Sequence, residues 1–360
     1  MTLYAGMRKL VRELPGLGAW QRRGLALWLA GVLQAESCRI SEVADSLLSP
    51  DFPSVQALMK RLSRFLANPR ISDELLAKAW VERMVQSFPL RHWVVLLDET
   101  KLSDHLSVMV LSLAYARRAL HLLWRCYQPA AYPKEGQVQL IVELVARLRA
   151  LVPDRIRLTL LADRGLGTSP DLIRALLRLP GVDFLLRVQG QTCIRLRNGQ
   201  ERPLRMLVQP GRVWYGRGEV FKKTGWIRLW VCIYWQVGEP TPWCLVTNCP
   251  WRVVDDYGLR AWHEQSFRDA KSAGFNWQQS AVWDPAHAHR LLFILVLANA
   301  WVLSQGLLHT SPEKLSPSRG YPRQSLFRRG LRWLRASIRL RPLEPFSPDL
   351  VFVLPQPLRC

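Results

Sequence analysis

Residues 92–98 read HWVVLLD, an apolar and β-branched run that closes on an acid. Residues 106–115 (LSVMVLSLAY) and 119–127 are two more runs of this kind, separated only by Ala116, Arg117 and Arg118. Three consecutive strands joined by short turns predict an antiparallel meander. Outward from it the period changes. Residues 135–151 read as a helix and 155–161 (RIRLTLL) as a fourth strand that leads to Asp163. Ser169 is placed to cap a helix over 170–179 with Pro at its first position, and 182–188 (VDFLLRV) is a fifth strand. The order β-β-β-α-β-α-β predicts an α/β fold, a mixed sheet flanked by helices.

Upstream, residues 1–90 read as all-helical. Residues 22–34 are apolar-rich, and 40–48 make a short second helix. After a break at Ser49-Pro50, Ser54 can cap SVQALMKRLSRFL. In that last helix Val55, Leu58, Leu62 and Phe65 share one face, while Lys60, Arg61 and Arg64 share the other. A short helix, a turn and a basic amphipathic helix follow the order of a helix-turn-helix, so these three cations are candidate DNA contacts. Downstream, residues 190–250 are rich in Gly and Trp and read as strands, for example TGWIRLWVCIYW at 224–235, which predicts a β insertion. A long apolar helix is expected over 285–308. A Ser/Pro-rich loop follows, and then a helix over 325–340 whose Phe327, Leu331, Leu334 and Ile338 oppose Arg328, Arg332, Arg335 and Arg339. The expected division is a helical DNA-binding region (1–90), a core in two parts (91–189 and 251–310) around the insertion (190–250), and a basic C-terminal helix and tail (311–360).

The 360 residues carry 50 Lys+Arg against 28 Asp+Glu, a net charge of +22. Such an excess points to a polyanionic partner, most simply nucleic acid, and the 16 Trp and 8 Tyr supply faces on which bases can stack. Charges run through residues 1–24, against a secretory signal. The longest apolar run, 291–302, is too short to cross a bilayer. The 7 Cys are scattered with no C-x-x-C pair, so neither a zinc site nor a disulfide framework is expected. A cytoplasmic protein associated with the nucleoid, with no membrane partner, is the expectation.

Residues 255–275 read DDYGLRAWHEQSFRDAKSAGF. Tyr257, Arg260, Glu264 and Lys271 follow steps of three, four and seven, which on one helix fall within an arc of roughly 60°. Asp255 or Asp256 can cap this helix and Gly274 can end it. Taken alone, Arg260 and Glu264 are an ordinary surface pair at i, i+4. Asp98 and Asp163, however, each lie at or just past the C-terminal end of a predicted strand. With Glu264 they can converge on divalent ions through oxygen ligands only, which suits Mg²⁺ or, as a substitute, Mn²⁺. Two such ions roughly 4 Å apart clamp the attacking and leaving oxygens of a phosphodiester displacement.

With these residues in view, the chain resembles the DDE transposases of the bacterial insertion sequence 4 family. That family carries Tyr-x2-Arg-x3-Glu-x6-Lys around its catalytic Glu, matched here by Tyr257, Arg260, Glu264 and Lys271. Asp98 in VVLLDETKL and Asp163 in LLADRGLG match its two catalytic aspartates. The resemblance implies an RNase H-like core with a β insertion between the second Asp and the Glu. It implies cut-and-paste transposition: cleavage at terminal inverted repeats, a hairpin intermediate and strand transfer to target DNA, all on one metal-bound acid triad, with a homodimer in the synaptic complex. It implies that Trp243 stacks on a flipped base and that Tyr257, Arg260 and Lys271 contact phosphates near the cleaved end. Arg187, at the end of the fifth strand, is a further expected DNA contact. Two other readings stay open: a repressor derived from such an element that binds without cutting, and an RNase H-like nuclease that does not join strands.

Overall fold

The computed structural model describes residues 2–12, 14–250, 254–269, 274–310, 324–340, 346 and 349–352. The first helices are α1 (Thr2–Leu10), α2 (Ala19–Ala35), α3 (Ile40–Ser46), α4 (Val55–Leu66) and α5 (Asp73–Ser87). Ser54 and Ser72 cap α4 and α5 by accepting from Ala57 N and Leu75 N. Buried Trp28 of α2 donates from its indole to the Leu62 carbonyl at 3.0 Å, so α2 and α4 are held by a polar tether inside an apolar contact.

The meander follows as β1 (His92–Ser103), β2 (Leu106–Tyr115) and β3 (Arg118–Tyr127). Ala116 and Arg117 both take positive φ, 47° and 63°, the twist that a two-residue hairpin between right-twisted strands needs. Where the sequence ends the first strand at Asp98, the structure carries β1 on to Ser103. The reason is non-local: β2 pairs with β1 from Val95↔Leu113 through Ser103↔Leu106. Trp80 of α5 donates to the His121 carbonyl at 2.7 Å, fixing the N-terminal helices to this edge of the sheet.

After α6 (Gly136–Leu151) come β4 (Arg157–Ala162), the single turn α7 (Arg164–Gly167), α8 (Pro170–Leu177) and β5 (Val182–Val188). β4 is parallel to both β1 and β5. Residues 190–250 then supply β6 (Cys193–Arg195), β7 (Glu201–Pro203), β8 (Val213–Val220), β9 (Ile227–Tyr234) and β10 (Trp243–Thr247). These strands do not stand apart as an insertion with its own sheet. β10 pairs antiparallel with β5, and one ten-stranded sheet results, in the order β3-β2-β1-β4-β5-β10-β9-β8-β6-β7. Without β10 the apolar β5 would present an open edge, so main-chain pairing continues across it.

Alternation splits the sheet into two faces. Trp93, Val95 and Leu97 enter the main core with Phe184 and Leu186. Leu96, Leu161, Leu185, Leu245 and Tyr257 make a smaller cluster on the other face.

The motif segment is not the one continuous helix its spacing suggests. It forms α9 (Val254–Tyr257), a tighter 3₁₀ turn over Gly258–Arg260, and α10 (Ala261–Arg268). The long α11 (Pro285–Leu308) follows, capped by Asp284, which accepts from His287 N at 2.8 Å. At 24 residues it exceeds the apolar run read from the sequence and is long and apolar enough to cross a membrane, yet 94% of its most apolar 18-residue stretch is buried within the protein. α12 (Leu326–Leu340) crosses α11 at paired glycines. A Cβ on Gly330 would lie 2.0 Å from the Val302 carbonyl oxygen, and one on Gly306 2.1 Å from that of Leu326. Phe327, Leu331 and Leu334 of α12 are buried, while Arg328, Arg332, Arg335 and Arg339 are exposed.

Candidate active site

Asp98 and Asp163 are placed by strand register. The last parallel pair of β1 and β4 is Leu97↔Ala162, and each aspartate is the next residue. Neighbouring strands lie about 4.8 Å apart, so the two residues leave the parallel pairing side by side. Counting by two, Asp98 follows Val94 and Leu96, and Asp163 follows Leu161, all on the smaller-cluster face. Asp98 sits inside a strand but at the end of its parallel pairing, because β4 turns away there. Asp163 makes that turn by capping α7, its Oδ1 accepting from Leu166 N at 3.2 Å. Gly167 lets the turn lie on β5, since a Cβ there would be 2.3 Å from the Arg187 carbonyl oxygen.

Glu99 points the other way, as alternation requires. It accepts from the Tyr127 hydroxyl, and from Gln137 Nε2 at 3.0 Å. The second acid of the Asp98-Glu99 pair is thus held on the far face.

Glu264 reaches Asp98 through a cation. Arg260 Nη2 lies 3.1 Å from Glu264 Oε1, and its Nη1 lies 3.7 Å from Asp98 Oδ2. The i, i+4 surface pair of the sequence is therefore present, but it is also one arm of a bridge to the strand. Asp98 and Arg260 are largely covered, with side chains 18% and 21% exposed, while Glu264 is 59% exposed. Among the described residues, no group of three or more His, Cys, Asp or Glu side chains stands close enough to hold a metal ion. The donor chemistry nevertheless fits a hard divalent ion: all three groups are carboxylates, and a guanidinium already supplies positive charge between two of them.

Tyr257 closes the smaller cluster, 3% exposed. Burial pushes its phenol up to about 12. Arg260 and Arg187 oppose that shift, and nearby Asp163 adds to it. Trp243, the first residue of β10, meets the Tyr257 ring edge-to-face at 5.2 Å, and Tyr234 flanks it at 6.2 Å. Arg187 pairs with Leu245 across β5 and β10 on this same face. Asp98, Asp163, Arg187, Trp243, Tyr257, Arg260 and Glu264 thus gather over one patch of the sheet. Lys271 lies outside the described residues. Lys60, Arg61 and Arg64 are exposed on α4, a separate element, with Arg61 over the Phe52 ring at 5.8 Å.

The sequence reading missed what holds α10 down. Arg118 of β3 pairs with Asp269 at 2.5 Å, both nearly buried. Ser266 Oγ accepts from Ala119 N at 2.6 Å. His263 is fully buried, with Nε2 2.6 Å from Ser112 Oγ and Nδ1 3.6 Å from Asp98 Oδ2. The one available signal was spacing: His263, Ser266 and Phe267 fall three and four apart and so share one face of the helix.

No protein-family profile and no curated protein matches the chain. Among solved structures, a cryo-EM structure of a piggyBac transposase synaptic complex with hairpin DNA is similar at 12% identity. The match covers 98% of this chain and 83% of that one, with a TM-score of 0.41. At that identity and TM-score the likeness assigns nothing to this chain.

Proposed function

We propose that the chain is a DNA transposase of the DDE type, akin to the insertion sequence 4 family that its Tyr-Arg-Glu-Lys spacing resembles. It would cut at transposon ends through a hairpin intermediate and join the freed ends to target DNA. The observation that carries this reading is the side-by-side placement of Asp98 and Asp163 at the end of the β1–β4 pairing, with Glu264 tied to Asp98 by Arg260. The strand order β3-β2-β1-β4-β5 around those acids supports an RNase H-like core. The net charge of +22 supports a DNA partner.

Asp98, Asp163 and Glu264 would hold Mg²⁺, or Mn²⁺ in its place, once Glu264 turns in and Arg260 releases it. A divalent ion held there would supply activation of a water or a 3′-hydroxyl and stabilisation of the leaving oxygen. The remaining work belongs to the protein. Arg260, freed from its carboxylates, pairs with a phosphate beside the scissile bond. Lys271 and Arg187 add cationic contacts, and the Tyr257 ring lines the same wall. Trp243 offers its partly exposed face to a base turned out of the stack, and stacking offsets a flipping cost of a few kcal/mol. Lys60, Arg61 and Arg64 grip the backbone further along. Two copies would pair two ends, and the protein would work on the DNA of a bacterial cytoplasm.

The repressor reading has one observation in its favour: the Arg260 guanidinium neutralises two of the three acids. One experiment separates the readings. Duplexes carrying the DNA that flanks the reading frame are incubated with protein and Mg²⁺ or Mn²⁺, and products are resolved under denaturing conditions. Nicked and hairpin products that vanish in Asp98→Ala, with duplex binding retained, support the transposase. Binding with no cutting by the parent protein overturns it in favour of the repressor.

A further inference from the structure

A buried polar chain runs behind Asp98. Ser112 of β2 lies opposite Leu96, two positions from Asp98 on the same face of β1. His121 of β3 lies opposite Ser112. His263 comes down on both from α10. Ser112 Oγ is 2.8 Å from His121 Nδ1 and 2.6 Å from His263 Nε2, and all three side chains are buried. The far nitrogens, His121 Nε2 and His263 Nδ1, have no hydrogen-bond partner of ordinary length. His263 Nδ1 faces Asp98 Oδ2 at 3.6 Å.

A serine hydroxyl has one hydrogen, so Ser112 can donate to only one of its two imidazoles. If it donates to neutral His263 Nε2, the His263 hydrogen is on Nδ1 and points at the Asp98 carboxylate. If instead it accepts from neutral His263 Nε2–H, a bare Nδ1 lone pair faces a carboxylate oxygen in a buried site, which is repulsive. The other end agrees. In the first arrangement His121 donates from Nδ1 and is left with an unpaired acceptor. In the second it is left with an unpaired buried N–H, the rarer defect. Burial, with a lesser push from His263, lowers His121 to about 3, so it is neutral at ordinary pH. A His263 carrying both hydrogens would present the same Nδ1–H to Asp98, with Ser112 then accepting from Nε2–H.

We propose that His263 is a positioning residue for Asp98, its Nδ1–H aimed at Oδ2 by Ser112 and His121. Asp98 is then held from two sides: by Arg260 from the solvent side and by His263 from within. When Arg260 turns to a phosphate, the inner contact remains and keeps the carboxylate at the angle its strand gives it. This rests on the reading of Asp98 as a catalytic acid, but its first test does not need catalysis.

The full chain, labelled with ¹⁵N in its histidine rings and free of metal and DNA, is examined by long-range ¹H–¹⁵N correlation. The signals of His263 are identified by their loss in His263→Asn. A protonated Nδ1 is expected in the parent, and Ser112→Ala is expected to change that pattern. A bare Nδ1 in the parent overturns the proposal whether or not the protein cuts DNA. The second test compares two amides in DNA cleavage. Asparagine places an N–H near the position of Nδ1, and glutamine near that of Nε2. Contacts that orient a ligand are typically worth 10- to 100-fold, so His263→Gln is expected to lose about that much in cleavage rate while His263→Asn stays close to the parent. Thermal unfolding of both variants reads any packing loss common to the two. Equal losses in both would reduce His263 to a packing residue.

Discussion

Arg260→Gln is the most informative single change. The Arg260 guanidinium contacts Asp98 at 3.7 Å and Glu264 at 3.1 Å. For these acids to hold a divalent ion, the guanidinium would have to leave them. Exposed ion pairs contribute about 0.2–1 kcal/mol each, and the Asp98 contact, with both side chains about four-fifths covered, belongs at the upper end. Together the two contacts oppose metal entry by about 1–2 kcal/mol, and each 1.36 kcal/mol is a factor of ten. Glutamine keeps most of the length and removes the charge. Arg260→Gln should therefore bind Mn²⁺ about 10-fold more tightly than the parent in the absence of DNA, read as loss of the free Mn²⁺ signal in electron paramagnetic resonance. Adding Asp98→Asn should cancel the gain. Cleavage of end DNA should fall in the same variant, because the phosphate contact goes with the charge. A parent and variant with equal Mn²⁺ affinity would show that the guanidinium does not stand where an ion binds, and the acid triad would lose its main geometric support.

Three further outcomes are expected. Gly330→Ala puts a methyl 2.0 Å from the Val302 carbonyl oxygen and should lower the unfolding free energy by about 1–3 kcal/mol; an unchanged melting temperature would mean that α11 and α12 do not cross there. His121 falls from 6.5 to about 3, so between those values the unfolded chain takes up a proton that the folded chain refuses. Stability is therefore complete above the unfolded value and lost as pH drops through the window. His121→Asn should narrow the stability gap between pH 7 and 4.5 by about 2–3 kcal/mol in urea titrations, and an identical gap would place the acid sensitivity elsewhere. Trp243→Ala should reduce hairpin product about 5- to 100-fold while Trp243→Phe retains most of it; equal products would remove Trp243 from base stacking.

Much of this arrangement is legible in the chain itself. The strand runs before Asp98 and Asp163, the Ser169 cap and the basic face of α4 are local features, set by alternation, capping and a 3.6-residue period. So is the pairing of Arg260 with Glu264, because residues four apart on a helix are neighbours. Tertiary structure decided what depends on partners far off in sequence. β1 runs past Asp98 because β2 pairs with it there, and residues 190–250 extend the sheet because β10 meets β5. The helix read through Tyr257 and Glu264 tightens at Gly258–Arg260, where Tyr257 is drawn under Trp243 while Glu264 stays in solvent. His263 and Ser112 lie 151 residues apart, and no period in the sequence joins them. Sequence carries residue type and local spacing; which carboxylate faces which cation or imidazole is fixed only when register and burial bring separate strands and a helix to one patch of sheet.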